Sequence, residues 1–321
     1  MAIIQTINGP KDTADLGPTL AHEHLCSGFG GMDKTHIFDL DEAVRRATAA
    51  LQEAYDAGIR TVIDCTPVDN GRQVAVFERC AGATPMNVIA AVGVYKAIPI
   101  SYRAWDADTY AEYFLHDIET GMERTGIRAG VLKIAWDIET QIEAFRGPLE
   151  TAARGAARAS KAGGVPITCH TAPAERHGNR LIEIFEEEGL DLAAVTIGHT
   201  NDSTDMDYVL GLAKKGANVG LDRFTPRRGE EEMARRSQIA LDMANAGFAD
   251  RVSLGHDGAG YSLTGGPAGG GPRLEDPKVW RLVPEWELGW LRAHGATEDQ
   301  IDAMMVRSTR RTFEAAAAMK K

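Results

Sequence analysis

The sequence predicts an α/β fold in which the whole chain, residues 1–321, forms one (β/α)8 TIM barrel. Three observations predict this fold. Eight short apolar runs rich in β-branched residues alternate with eight longer segments of helical period. Several helical segments are followed by a glycine, as is common at helix C-termini. Histidine, lysine and aspartate residues recur at the ends of the predicted strands, where barrels of this class carry their functional residues.

The elements follow one another regularly along the chain. The predicted strands span residues 19–21, 61–64, 88–92, 129–134, 165–169, 194–197, 217–221 and 252–254. The predicted helices span residues 41–57, 72–81, 108–123, 141–162, 179–188, 205–215, 231–246 and 278–294. A short strand over 3–10 precedes the barrel, and helices over 297–305 and 308–319 follow it. The glycines that follow helical runs are Gly58, Gly163, Gly216 and Gly247.

A doubly wound open sheet shows the same alternation, so the number of strands alone does not exclude it. Open nucleotide-binding sheets often carry a G-x-x-x-x-G-K loop or a G-x-G-x-x-G loop after a strand, and this sequence shows neither. We also find no linker and no internal repeat. The glycine-rich segment 264–272 follows the eighth strand and is either a mobile lid or a flexible connector.

The composition excludes several classes of protein. Of the 321 residues, 44% are hydrophobic and 25% are charged, which is typical of a globular chain with a large core. The net charge is −11 and no basic stripe occurs, so a nucleic-acid partner is not expected. We see no signal peptide and no apolar run of about 18 residues, so we expect no membrane partner. The separated cysteines fit free thiols in the cytoplasm; they are Cys26, Cys65, Cys80 and Cys169.

Candidate metal ligands lie at the C-terminal ends of the predicted strands. His22 and His24 follow the first strand at i and i+2, and strand alternation turns both imidazoles towards one metal ion. A single histidine after a strand more often packs or hydrogen-bonds than binds a metal. Six candidates on one face of one barrel nevertheless indicate a metal site. The other four are Lys133, His170, His199 and Asp257, near the ends of strands four, five, six and eight.

Lys133 lies inside the apolar run 131–135. A buried ammonium is costly unless it is paired. The side chain could therefore extend to the surface or pair with a nearby aspartate. Alternatively, its amine could have reacted with CO₂ to form a carbamate. That anion has two oxygens, could bridge two cations, and would supply the negative charge that four neutral histidines lack.

Seven stretches carry a resemblance to a known family. They are GPTLAHEH at 17–24, GVLK at 130–133, GVPITCH at 164–170, IGH at 197–199, LDRF at 221–224, GHD at 255–257 and MVRSTRRTF at 305–313. The stretches cover nearly the whole chain in the family's order. On these residues the chain resembles the phosphotriesterase-like family of the amidohydrolase superfamily, which includes the phosphotriesterase-like lactonases.

The resemblance implies a hydrolase with two divalent metal ions. It implies that His22, His24 and Asp257 hold the more buried ion. His170 and His199 would hold the more exposed ion, with carboxylated Lys133 and a hydroxide between the two. Zinc is expected, and relatives also use cobalt, iron or manganese. Two cations about 3.5–4 Å apart lower the pKa of shared water towards neutrality, and Asp257 would accept its proton.

Two further residues match positions that line the pocket of the lactonase members. Tyr95 matches a tyrosine after strand three that hydrogen-bonds the lactone, and Arg223 matches an arginine after strand seven. Both favour a lactonase or carboxylic-ester hydrolase with promiscuous phosphotriesterase activity. Tyr95 could instead be a packed aromatic residue. Arg223 could instead form a structural ion pair with Asp222 or Glu230.

The loops depart most from the family. After Lys133 the family often continues with a small residue and a Pro-Gly pair, whereas this chain has IAWDIE at 134–139. The loop after strand seven has a basic tip that contains Arg227 and Arg228. The region after strand eight contains Tyr261 and Trp280, which are expected to contact the substrate.

Several alternatives stay open. The same metals could serve a dedicated organophosphate triesterase or another ester or amide hydrolase. A mononuclear deaminase-type barrel would not need Lys133, and a barrel that has lost its metals would be a binding protein. The expected partner is a small ester, lactone or phosphotriester. Family analogy alone predicts a homodimer.

Overall fold

The computed structural model of the chain describes residues 1–28, 30–31, 34–36, 38–225, 229–263 and 276–320. Its strands are β1 (Ile3–Thr6), β2 (Gly9–Asp12), β3 (Thr19–Ser27), β4 (Thr61–Asp64), β5 (Asn87–Gly93), β6 (Val131–Trp136), β7 (Ile167–Thr171), β8 (Val195–Ile197), β9 (Asn218–Leu221), β10 (Val252–Leu254) and β11 (Gly258–Ser262). Its α-helices are α1 (Leu40–Asp56), α2 (Val74–Cys80), α3 (Ala107–Glu119), α4 (Glu143–Gly163), α5 (His177–Glu187), α6 (Met206–Lys214), α7 (Gly229–Asn245), α8 (Leu288–Ala293), α9 (Glu298–Asp302) and α10 (Ser308–Met319).

Nine parallel strands form the central sheet, in the order β10-β9-β8-β7-β6-β5-β4-β3-β11. The strands β10 and β11 are successive segments of one path, interrupted at residues 255–257. The first segment pairs with β9 and the second pairs with β3, so together they occupy the eighth position. The Asp257 amide donates to the His22 carbonyl at 3.1 Å across this junction. The predicted (β/α)8 TIM barrel is therefore confirmed.

The helices alternate with the strands and cover the outside of the sheet. The helix α1 shows the reason, because its buried residues recur at helical spacing while its other face is charged. Asp39 caps this helix by accepting a hydrogen bond from the Glu42 amide at 3.1 Å. Each strand is buried on both faces, by the helices on the outside and by the barrel interior on the inside. The strand sequences are therefore continuous apolar runs.

The N-terminal end of the barrel is closed by packing. The antiparallel hairpin of β1 and β2 and the helix α10 cover this end. Ile4, Leu16 and Phe313 pack there against the interior residues Ile63 and Val131, and all five are buried. The open end of the barrel is therefore the C-terminal one, where the candidate ligands lie.

The boundaries differ from the sequence predictions at informative places. The strand β3 continues to Ser27, so His22 and His24 lie within it, and β7 likewise includes His170. The expected strand over 3–10 is a hairpin. The expected eighth helix is divided into a 3₁₀ helix (Pro277–Arg281), a π-helix (Leu282–Glu287) and α8.

The strand β11 was not predicted because glycines replace the apolar pattern of a buried strand. A Cβ atom on Gly260 would lie 3.0 Å from the Ala47 Cα and 2.9 Å from the Leu25 carbonyl oxygen. Glycine therefore lets α1 approach the strand closely.

The suggested lid over 264–272 and the basic pair Arg227 and Arg228 lie outside the described residues. Among the helices that the structure does describe, none combines the length and the apolar character needed to cross a membrane.

Candidate active site and metal centre

Parallel strands bring the predicted ligands to one end of the barrel. The strand β3 supplies His22 and His24, and β6 supplies Lys133. The other three lie on β7, directly after β8, and between β10 and β11; they are His170, His199 and Asp257. His22, Lys133 and His199 are each only 1% exposed. The structure thus brings all six predicted residues together in one cluster, in which Asp257 is partly exposed and the other five are buried.

Three of these residues surround one point on the β3 side of the cluster. The His24 Nε2 lies 3.0 Å from the Asp257 Oδ1, and the His22 Nε2 lies 3.6 Å from the same oxygen. Donor atoms of His22, His199 and Asp257 also lie within 4.8 Å of one another. This spacing suits a shared metal ion, and two imidazoles with a carboxylate are ligands that zinc commonly takes.

Asp222, directly after β9, fixes the protonation of two histidines. Its Oδ2 lies 2.7 Å from the His22 Nδ1, and its Oδ1 lies 2.8 Å from the His199 Nδ1. Burial alone would raise the pKa of Asp222, but His199 and His22 hold it well below its usual range. An ionised carboxylate only accepts hydrogen bonds, so both Nδ1 atoms carry the proton. The Nε2 atoms of His22 and His199 are therefore unprotonated, as metal-binding atoms must be.

Asp137 plays the same part for His170. Its Oδ2 lies 2.6 Å from the His170 Nε2. Burial would raise the pKa of Asp137, but hydrogen bonds from His170 and Lys96 hold it well below its usual range. The proton of the His170 ring therefore lies on Nε2, and Nδ1 is the unprotonated atom.

The two unprotonated nitrogens face each other, with the His170 Nδ1 2.6 Å from the His199 Nε2. Two lone pairs at this distance repel unless a proton lies between them, or unless both nitrogens bind one metal ion that lies to the side of the line joining them. Burial and the neighbouring His199 lower the pKa of His170 well below its usual value, which disfavours a second proton on that ring. The donor set therefore fits a metal ion.

Lys133 is the cationic member of the cluster. Its Nζ lies 2.8 Å from the His22 Nε2, and burial, followed by this positive charge, lowers the pKa of His22 to about 3. Among the residues that the structure describes, no carboxylate forms an ion pair with Lys133. The suggestions that it extends to the surface or pairs with an aspartate are thus not supported, because the side chain is buried beside neutral imidazoles.

Local backbone features place these side chains. His199 and Asp257 both have left-handed backbones, with φ of 63° and 53°. Non-glycine residues of this kind are uncommon and cluster at functional sites. At the end of β5, a Cβ atom on Gly93 would lie 1.8 Å from the Lys133 carbonyl oxygen. Glycine is therefore required there for β6 to pack against β5.

The break between β10 and β11 is held by Glu23, which lies between the two β3 histidines. Glu23 Oε1 accepts from the His256 amide at 2.8 Å and lies 2.7 Å from the His256 Nδ1, and its Oε2 accepts from the Gly258 amide at 3.0 Å. The Val283 amide donates to the His256 Nε2 at 3.0 Å. Both ring nitrogens of His256 are therefore engaged away from Asp257, and the ring supports the backbone of the site.

Tyr95 lies beside His170. Its hydroxyl lies 3.3 Å from the His170 Nδ1, and the two rings meet edge to face with centroids 4.8 Å apart. Asp69 accepts a hydrogen bond from the Tyr95 amide at 2.7 Å and so fixes the backbone. Burial raises the pKa of Tyr95, so its hydroxyl stays protonated and can donate.

Arg223 connects the site to α7. Its Nε donates to the Asp257 Oδ2 at 3.1 Å, and its Nη1 bonds to Asp202. Asp202 in turn accepts from Arg236 at 2.5 Å. Within the part of the chain that the structure describes, Arg223 forms its ion pairs with Asp202 and Asp257, and not with the alternatives raised from the sequence, Asp222 and Glu230.

The two other predicted substrate contacts, Tyr261 and Trp280, differ in their surroundings. Tyr261 on β11 packs against Phe38 and lies beneath the guanidinium of Arg46 on α1, 5.8 Å from its ring centroid. Trp280 is fully buried in the hydrophobic core. A Cβ atom on Gly258 would lie 3.1 Å from the Trp280 indole nitrogen, so Trp280 packs behind β11. The structure thus gives no support to Trp280 as a surface of the pocket.

The sequence interpretation missed the functional importance of Asp222, Asp137 and Glu23. A signal for the first two was present, because each lies immediately after a barrel strand, at the same end of the barrel as the metal-ligand candidates. Glu23 lies between His22 and His24 in the sequence. Its hydrogen-bond partners are in the segment between β10 and β11, and only the folded structure reveals them.

The comparisons agree with this geometry. The sequence profile described as the Phosphotriesterase family matches residues 2–313. A phosphotriesterase homology protein of Mycobacterium tuberculosis is 33% identical over 337 residues, covering 98% of each chain. An aryldialkylphosphatase of Saccharolobus solfataricus is 30% identical over 319 residues, covering 94% of this chain and 96% of the relative. An N-acetyltaurine hydrolase of Xenopus tropicalis is 22% identical over 302 residues, covering 79% and 83%.

Proposed function

The chain belongs to the phosphotriesterase family of metal-dependent hydrolases, and we propose that it hydrolyses lactones or carboxylic esters with two divalent metal ions. A slower hydrolysis of phosphotriesters at the same site is part of the proposal. One observation carries it. The His170 Nδ1 and the His199 Nε2 face each other at 2.6 Å as unprotonated atoms, because Asp137 and Asp222 hold the protons on the far side of both rings.

The proposed ligands divide into two groups. His22, His24 and Asp257 would hold one ion, and His170 and His199 would hold the other. The hydroxyl of Thr66 lies 2.8 Å from the His24 Nδ1 and can accept a hydrogen bond from a protonated Nδ1, which would leave the His24 Nε2 for the metal. Zinc fits this mixture of imidazole and carboxylate, and cobalt, iron or manganese are alternatives. Bound ions of this kind supply Lewis acidity, which lowers the pKa of water and polarises the oxygen under attack.

Lys133 would bind between the two groups as a carbamate. In its neutral form the Nζ attacks the carbon of CO₂, forms one N–C bond and releases one proton. The product is an anion with two oxygen ligands. Its formation would remove the uncompensated ammonium beside His22 and supply negative charge to a site rich in neutral histidines. The buried position of Lys133, without a carboxylate partner among the described residues, supports this step.

Asp257 is the proposed proton acceptor. Burial would raise its pKa, but His199, His24 and Arg223 hold the pKa well below its usual range. Asp257 is therefore ionised, as a proton acceptor must be, and in this proposal it would take the proton of the attacking water. Arg223 has no acceptor atom and cannot pass that proton on. Since the Asp257 side chain is 25% exposed, the proton would leave directly to solvent or to the leaving oxygen.

Tyr95 supports the choice of lactones and esters. Its protonated hydroxyl lies 3.3 Å from the His170 ring and can donate to the carbonyl or the ring oxygen of a bound lactone. Such a donor stabilises negative charge that develops on oxygen during acyl transfer. The small ester, lactone or phosphotriester partner and the homodimer expected from family analogy remain proposals.

Phosphotriester hydrolysis is the second candidate as main activity. The aryldialkylphosphatase relative is 30% identical over nearly the whole chain. The N-acetyltaurine hydrolase relative bears the name of an amide hydrolase at 22% identity. The names of these relatives therefore include hydrolases of phosphate esters and of amides. We propose that the loops around the site determine which bond this chain hydrolyses.

The test is a pH-indicator assay of the protein after incubation with zinc and bicarbonate. Lactones, carboxylic esters, phosphotriesters and N-acyl amides are compared at equal concentration, with the chelator-treated protein as control. We expect the highest kcat/KM for a lactone or ester and a loss of all turnover after chelation. A higher kcat/KM for phosphotriesters would favour the second candidate. Equal turnover with and without metal would refute the metal-dependent reaction.

A further inference from the structure

The segment after β6 is one of the loops whose sequence departs from the family pattern, and its first residue reaches the site. Asp137 lies directly after β6, with its side chain 14% exposed. Its Oδ2 lies 2.6 Å from the His170 Nε2. Its Oδ1 accepts from the Ile138 amide at 2.6 Å, and this contact caps a short 3₁₀ helix (Ile138–Gln141).

Lys96 holds the same carboxylate from the neighbouring loop. Its Nζ donates to the Asp137 Oδ2 at 2.8 Å and lies 3.2 Å from the Glu139 Oε1. Lys96 therefore joins the loop after β5 to the loop after β6. The Thr140 hydroxyl donates to the Asp137 carbonyl at 2.6 Å and fixes the turn from inside. Side chain and backbone of Asp137 are thus both restrained.

These contacts allow only one tautomer of the His170 ring. The oxygen shared by Lys96 and His170 is a carboxylate oxygen, so it accepts and the His170 Nε2 must carry the proton. The Nδ1 atom then faces His199 and the interior. In the opposite tautomer, the Nε2 lone pair would face the carboxylate and the Nδ1 proton would occupy the metal position.

We propose that Asp137, held in place by Lys96, is a positioning residue that selects the His170 tautomer with an unprotonated Nδ1. This inference rests on the proposed function, because it assigns His170 Nδ1 as a metal-binding atom. Outer carboxylates of this kind are worth about 10–100-fold in metal affinity. The mutual geometry of Asp137 and His170, however, exists without a metal and can be measured without one.

The first measurement is a histidine tautomer assay by NMR on ¹⁵N-labelled, metal-free protein. Loss of one ring signal in His170→Gln identifies His170. We expect Nε2–H in the unaltered protein and in Asp137→Asn, whose amide oxygen can still accept. Asp137→Ala is expected to show a mixture of both tautomers. An unchanged tautomer in Asp137→Ala would overturn the proposal.

The second measurement is zinc binding in competition with a chelator, after treatment with bicarbonate. Asp137→Ala should bind one zinc equivalent about 10–100-fold more weakly and the other as before. Lys96→Met is expected to lower the affinity for the same zinc equivalent by a smaller factor. Lys96 positions the Asp137 carboxylate but does not contact His170. Equal affinities in all proteins would overturn the positioning role.

Glu139→Gln is the matched control, because Glu139 contacts Lys96 from the same segment. It should leave the tautomer unchanged, and a shift as large as that of Asp137→Ala would refute the assignment to Asp137. The two proposals can fail separately. A tautomer shift in Asp137→Ala in a protein that binds no zinc would refute the proposed metal function and support the hold of Asp137 on His170.

Discussion

The Nδ1 atom of His170 lies 2.6 Å from the Nε2 atom of His199, and the opposite nitrogen of each ring faces a carboxylate. Asp137 holds the proton of the first ring, and Asp222 holds that of the second. The two nearest nitrogens are therefore both hydrogen-bond acceptors. Two unprotonated nitrogens in contact repel each other and do not stabilise the fold. The arrangement is therefore consistent with a cation-binding site.

Asp222 is expected to control metal affinity on both sides of the site. In Asp222→Asn, one oxygen becomes an NH₂ donor, so the side chain can accept a hydrogen bond from the Nδ1–H of only one of the two histidines, His22 or His199. We expect metal affinity to fall by about 10–100-fold, measured by chelator competition. Glu287→Gln removes a buried carboxyl group outside the site and serves as the control. Wild-type affinity in Asp222→Asn would show that this carboxylate does not set the histidine tautomers.

Lys133→Ala is expected to lose the bridged site. The variant lacks the amine that would form the carbamate, so zinc content should fall and bicarbonate should no longer increase it. Short carboxylic acids such as acetate should restore part of the activity, because they can supply two oxygens to the vacated space. The same acids added to the unaltered protein are the control. Full activity of Lys133→Ala without any acid would favour a mononuclear site.

Tyr95→Phe should distinguish acyl from phosphoryl substrates. Removal of one hydrogen-bond donor to developing charge costs about 10²–10³-fold in kcat at comparable sites. We expect a loss of this order for lactones and a smaller loss for phosphotriesters, from kcat/KM of both classes on one preparation. Zinc content should be unchanged, since the ring would remain in place. Equal losses for the two classes would argue against a lactone-directed role.

Glu287 predicts a pH dependence of folding stability outside the metal site. Burial raises the pKa of its carboxyl group to about 8, and the Ser237 hydroxyl donates to it. The folded chain therefore keeps a proton that the unfolded chain loses near pH 4.5. The contribution of Glu287 to the free energy of unfolding is complete below pH 4.5 and is lost as the pH rises to about 8. Glu287→Gln should flatten Tm against pH over this window, and parallel curves for both proteins would contradict the prediction.

The sequence predicted the barrel and the cluster because both depend on local patterns. Alternating apolar strands and amphipathic helices indicate a barrel, and parallel strands carry residues at their C-terminal ends to one place. His22, Lys133 and His199 could therefore be assigned to one site before any distance was known. The exact strand ends were less predictable, because hydrogen bonds to neighbouring strands extend β3 and β7 beyond their apolar runs.

Other features depend on contacts between distant segments. The partners of Glu23 lie 233 and 235 residues away, and no pattern around Glu23 indicates them. Arg223 was assigned to the site, but its pairing with Asp202 follows from the path of the loop after β8. Trp280 was expected beside the substrate because it follows the eighth strand, whereas its indole is buried in the hydrophobic core.

The central claim is that this cluster binds two metal ions, and metal content tests it most directly. Purified protein is incubated with zinc, with and without bicarbonate, freed of excess metal by gel filtration, and analysed by mass spectrometry for zinc per chain. We predict about two equivalents with bicarbonate and fewer without it. Well under one equivalent in both samples, with no gain in hydrolysis, would contradict the account.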